Sequence, residues 1–243
     1  MKKHLSVLAL CARNNLHTVI GLLCAMCASE TLVFRLNWNK YLTYLTVDCR
    51  TFEDTLHWVP QLCFVFLMLL MIQLSSSGDQ NHSTGYALRR LRIPEKTAVL
   101  WKAVYNVVCL LLFWAVQTAA VLGLGYWYTR LLDPQSVSAQ TLFLAFYRDP
   151  FLHNLLPLGN WTRYYCIAAL LAAAGFSASL MTYKLRRGSR YGWIMPLFSC
   201  ILLGVYFRQG VGHWSVDVFG VLAAAAVMGV DAFYCWENAY YEE

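Results

Sequence analysis

The sequence predicts an all-α, polytopic membrane protein with six transmembrane helices, led in by a short amphipathic helix on the membrane surface. Three observations predict it. Hydrophobic residues make up 59% of the 243 and charged residues only 13%, about half the charged share of a soluble domain. A soluble fold of this size could not cover so much apolar surface, so the chain needs lipid. The apolar residues fall into six runs, each near the roughly 20 residues that cross the hydrocarbon. Tryptophans sit at the ends of those runs. Trp38, Trp58, Trp127, Trp161 and Trp214 mark one interface, Trp101, Trp193 and Trp236 the other, and Trp114 alone falls mid-run. Indole prefers the headgroup level, so this is an aromatic belt.

Residues 1–15 carry Lys2, Lys3 and Arg13 around Leu5, Leu8, Ala9 and Ala12, which gives a helix one apolar face. The apolar core is short for a signal peptide, Arg13 follows it directly, and no small-residue cleavage site is present. An interfacial helix on the inner face is the better reading. Residues 16–243 form the six-span domain, with spans expected at Leu16–Leu36, Trp58–Leu74, Leu100–Tyr128, Trp161–Tyr183, Tyr191–Phe207 and Trp214–Trp236. The third exceeds a simple crossing, so it starts below the membrane or tilts.

Charge sets the orientation. Of the 19 lysines and arginines, twelve lie in the N-terminal segment, at Arg89–Lys102 and at Lys184–Arg190, all on one side of the alternating spans. Basic residues stay cytoplasmic, so both termini are expected to face the cell interior. The net charge of +6 is therefore topological, and no nucleic-acid partner is expected. A cytoplasmic loop spans 75–100 and a long outer loop 129–160. The outer loop carries two apolar patches, 142–147 and 151–158, expected to form short helices lying on the outer interface.

Motifs for soluble chemistry are missing. There is no GxxxxGK[ST] and no GxGxxG after a strand. Cys24 and Cys27 form a CxxC without a second pair inside an apolar run, where cysteine behaves as a small hydrophobe. No metal, cofactor or catalytic residue is expected. Ser177 and His213 could suggest an intramembrane serine protease, but Ser177 lies about 24 Å below the outer end of its span and His213 lies at the surface. Small residues from Ala172 to Ser179 read as helix packing instead. Glu30 lies two-thirds along the first span, and His213 and Asp217 are four apart at the start of the sixth; together they form a candidate intramembrane polar site, with pairing between spans the simpler reading. Arg35, Lys102, Arg130, Arg163, Lys184 and Arg208, near span ends, are expected to snorkel to water.

The most distinctive stretch is Gly85-x-x-Leu88-Arg89-Arg90-Leu91-Arg92-Ile93-Pro94. On a helix Leu88 and Leu91 share a side while Arg89, Arg90 and Arg92 fan out elsewhere, and Pro94 ends it. Sequence chemistry allows either a lipid-contacting loop or a docking helix. With Lys102 at the foot of the next span, this stretch resembles the inner loop of ABC-2 type permeases, the six-span membrane subunits of ATP-binding-cassette exporters. The resemblance covers about 20 residues in motif and nearly the whole chain in architecture. It implies that Leu88, Arg89, Arg90, Leu91, Arg92 and Ile93 couple to a separate ATPase subunit, and that a second permease chain completes the unit. The family often places a re-entrant outer element between spans five and six, whereas here the outer bulk lies between three and four. Three alternatives stand beside it: a non-transporting accessory or immunity-like membrane protein, a membrane-embedded enzyme, and a proton-coupled carrier using Glu30, Asp217 or Asp231.

Overall fold

The computed structural model describes residues 2–44, 52–76, 94–131, 139–186, 192–209 and 214–237, and every regular element among them is a helix. In chain order these are α1 (Lys2–Tyr44), α2 (Phe52–Thr55), α3 (Val59–Ser76), α4 (Glu95–Leu131), α5 (Ala139–Arg148), α6 (Pro150–Leu155), α7 (Trp161–Arg186), α8 (Ile194–Phe207) and α9 (Trp214–Glu237).

Five helical stretches are long and apolar enough to cross a membrane: Asn15–Trp38, Val59–Ser76, Glu95–Leu131, Trp161–Leu185 and Trp214–Cys235. The fifth expected span, Tyr191–Phe207, differs. Helix α8 has 14 residues, about 21 Å of rise against a hydrocarbon core of about 30 Å. It starts late because the turn before it folds back on α7: a Cβ at Gly192 would lie 3.2 Å from Met181 O. The protein is thus a multi-pass membrane protein, with five long apolar helices and one short one among its described residues.

The N-terminal segment is also different from the expectation. It is no separate surface helix, because α1 runs unbroken through Asn15 for 43 residues. The apolar stripe explains this. Val7 is 1% exposed, and Leu8, Cys11, Ala12, Val19, Leu23 and Met26 all pack on the common core. The face read as lipid-facing continues the face that meets the other helices.

Helix α7 is the hub. In its apolar window 65% of residues are buried, against 22–39% in the other spans. Its small residues permit this: a Cβ at Gly175 would lie 2.8 Å from Val107 Cγ2 and 2.9 Å from the Val107 backbone nitrogen. Asn106 Nδ2 donates to the Gly175 carbonyl at 3.3 Å across the same contact. Close approach through glycine is how helices gain contact in lipid, where the hydrophobic effect offers nothing between them.

Of the two apolar patches in the long loop, the second does not lie on a surface, whereas α5 leaves Phe143, Leu144 and Tyr147 exposed. Asp149 caps α6 by accepting from Leu152 N at 3.0 Å, Pro150 occupies the first turn, and Phe151 to Leu155 are all buried. Trp114 Nε1 donates to Leu155 O at 3.1 Å, and Trp114 stacks near Tyr164 at 6.0 Å. Residue 114 of α4 is therefore beside the first turn of α7. About 26 Å of α4 lies after that point. Its last turns pack on α2 and α5: Phe52 meets Tyr128 at 5.2 Å, and Gly125 faces Leu142.

Candidate functional site

A cavity of about 670 Å³ lies between α3, α4, α7 and α8, with α2 and α6 at one end. That volume falls in the range of small-molecule sites. Its buried lining is apolar, Leu67, Phe113 and Leu171 with Phe64 beside them, and the half-exposed Ile201 and Val205 of α8 complete one wall. Its rim is polar: Glu53, His57, Gln61, Asp149 and Arg208. Glycine brings two walls together, since a Cβ at Gly204 of α8 would meet the Phe64 ring at 2.6 Å. Burial pushes the Glu53 carboxyl above its ordinary range; Arg148 opposes the shift, and Asp149 and Asp54 add to it.

One cavity residue is a fully buried amide. Gln117 is 1% exposed, and its Nε2 donates to Glu30 Oε1 at 2.7 Å. Glu30, expected to pair with a neighbouring span, does so across α1 and α4.

Asp217 is held at the junction of four elements. Tyr206 Oη donates to its Oδ1 at 2.7 Å, Thr162 Oγ1 to its Oδ2 at 3.3 Å, and Arg163 Nε stands 3.5 Å from Oδ1. Arg163 Nη1 donates to Asn154 Oδ1 at 2.6 Å. Asn154 Nδ2 reaches the carbonyls of Tyr206, Phe207 and Gln209 at 3.0–3.2 Å. Arg163 is 1% exposed, so the expectation that it snorkels is wrong: an interior carboxylate and an amide oxygen compensate its charge better than a long path to water. The node ties α6, α7, α8 and α9. It explains why α6 is buried, and it gives Asp217 a structural role. His213, its expected partner, lies outside the described residues.

His153 of α6 belongs to the same region, 2% exposed and edge-on to Tyr147 at 5.9 Å. Burial, and next the nearby Arg163 charge, holds its imidazole below the ordinary pKa. The folded state then favours the neutral ring, and the unfolded chain binds the extra proton. The stability it contributes is full above the ordinary histidine value of about 6.5 and is lost as pH falls through the depressed folded value. The melting temperature in detergent is expected to fall from pH 7.5 to pH 5 through this group. His153→Phe is expected to remove that share, measured by differential scanning fluorimetry.

Lys184 corrects a second snorkelling expectation. Its Nζ lies 2.5 Å from Asp231 Oδ1 and 4.9 Å from the Tyr234 ring centre, fastening α7 to α9. Ser177 Oγ is 3.1 Å from Ala174 O and 3.3 Å from Ser199 Oγ, as befits a packing serine. The structure brings Glu30 beside the cavity and sets Asp217 in the four-element node. Leu88, Arg89, Arg90, Leu91, Arg92 and Ile93 lie outside the described residues. Sequence reasoning missed Gln117, Asn154 and Arg163. Gln117 offered a signal, an amide inside an apolar run; Asn154 was hidden in a loop.

Comparison with protein-family models, curated proteins and solved structures gives no match. The fold itself defines the class: an all-helical, multi-pass membrane protein with a ligand-sized cavity among its spans.

Proposed function

We propose that the chain is the membrane-spanning permease subunit of an ABC-2-like exporter, driven by a separate ATPase subunit and completed by a second permease chain. The observation that carries the reading is the arginine-rich stretch Leu88–Ile93 between α3 and α4, which no span requires for crossing. The cavity supports it, since a permease needs a compartment among its spans where cargo can rest. In this reading both termini and the stretch face the cytoplasm, in the inner or plasma membrane. The cavity rim, formed by α2, α6 and the ends of α3 and α8, faces outward.

The mechanism is mechanical. ATP draws the nucleotide-binding subunits together, and the stretch Leu88–Ile93 moves with them. It pulls α3 and α4, between which it is tethered, and the cavity walls re-pack between two states. Leu88, Leu91 and Ile93 fill the groove on the ATPase, and Arg89, Arg90 and Arg92 pair with its acidic groups. The pair Arg89→Glu and Arg90→Glu is expected to lower ATPase recovery in co-purification at least tenfold while the chain still inserts in the membrane. Undiminished recovery would remove the docking role and the exporter reading with it.

A further inference from the structure

Three carboxylates are buried among the described residues: Glu30, Asp217 and Asp231. Two of them face a cation, Asp217 through Arg163 and Asp231 through Lys184. Glu30 faces an amide instead. Among the described residues Glu30 Oε2 and Gln117 Oε1 have no hydrogen-bond partner. Both atoms are acceptors once the Gln117 NH₂ points at the carboxylate. What the pair can still take is a donor, and what the carboxylate lacks is positive charge. A buried charge without compensation is costly, so a cation brought to it is held strongly.

Gln117 lines the cavity, and so does Cys63, which is within electrostatic reach of Glu30. The surface around this polar spot is apolar and aromatic, Phe64, Leu67, Phe113, Leu171 and Ile201. A ligand that satisfies both has a cationic donor on an apolar body. We propose that the cavity binds an amphiphilic amine. Gln117 is 1% exposed, so its amide shifts toward the cavity on binding; the ammonium group then donates to Gln117 Oε1 in front of the Glu30 carboxylate, and the alkyl or aryl body lies along Phe64, Phe113 and Leu171. The rim does not bar a cation, since Glu53 and Asp149 stand there with Arg208. An alcohol of the same length satisfies the acceptor but not the charge, and a carboxylate adds a second negative charge. Gln117 is the contact residue; Glu30 acts through it as a positioning residue and as the source of charge.

The site rests on the cavity and not on the permease reading, so its test needs no ATPase. Dodecylamine, dodecanol and dodecanoate are titrated at pH 7.4 into the full chain in phosphatidylcholine nanodiscs, with protein-free nanodiscs as blank. Bound ligand is counted by scintillation proximity. Dodecylamine is expected to bind at least tenfold more tightly than dodecanol, and dodecanoate most weakly. Glu30→Gln should bring the amine down to the alcohol's level and leave the alcohol unchanged, while Gln117→Leu should weaken both. Equal binding of the three amphiphiles overturns the proposal, because the cavity is then only a crevice for an acyl chain. An amine preference that survives Glu30→Gln overturns it as well. If that variant fails to fold, the ranking of the three ligands on the unaltered chain decides. Undiminished ATPase recovery with the Arg89→Glu and Arg90→Glu pair, this ranking being intact, would reject the permease reading alone.

Discussion

Arg163→Met is expected to destabilise the protein by about 3–5 kcal/mol, the cost of leaving a buried partner charge uncompensated. The charge left behind is Asp217, 4% exposed, with only the Tyr206 and Thr162 hydroxyls as donors among its described contacts. Asn154 loses its Arg163 donor too, so the end of α6 should loosen from α8 and α9. Chemical unfolding in mixed micelles measures the loss. Joining Asp217→Asn to Arg163→Met should recover part of it, because the pair is then neutral. A double variant no better than the single one would show that packing of the arginine stem, not charge, carries the effect.

Gly175→Leu has the second largest expected effect. A Cβ at that position already meets the Val107 backbone at 2.9 Å, and backbone cannot swing aside as a side chain can. Helices α4 and α7 must separate, and the Asn106 Nδ2 bond to Gly175 O at 3.3 Å is lost with them. Overpacking costs about 1–3 kcal/mol, and a stranded buried amide adds about 1–3 kcal/mol. Gly123→Leu is the control, since nothing lies within 4 Å of a Cβ there. Equal melting temperatures for the two variants would refute the close crossing.

Helix positions were legible because crossing a bilayer imposes length and hydropathy together. Trp58, Trp161 and Trp214 marked helix starts that the structure places at Val59, Trp161 and Trp214. The small residues around Gly175 were readable as packing for the same kind of reason: their size is their function. Other features depend on tertiary contact, which a linear pattern does not carry. Arg163 lies one turn inside its helix, where a snorkelling arginine and a buried one look alike; only the neighbouring Asp217 and Asn154 decide between them. The patch at 151–158 is amphipathic enough for a surface helix, and its burial follows from carbonyls at the end of α8 that Asn154 can reach. Helix α1 misled because its apolar stripe suits lipid and protein equally. For the site, Glu30 was visible as a charge inside an apolar run. Its partner was not, because nothing in the sequence says which of the amides in other spans stands opposite.

The unbroken course of α1 has a mechanical consequence. With no proline from Lys2 to Tyr44, it is a rod about 63 Å long that reaches from one side of the bilayer to the other. Helices bend sharply at few kinds of site, proline above all. A push on its first turn would therefore arrive at Trp38, beside Tyr128 at 6.0 Å, as displacement rather than be absorbed on the way. Glu30 rides on that rod, so any such stroke would slide the carboxylate past Gln117.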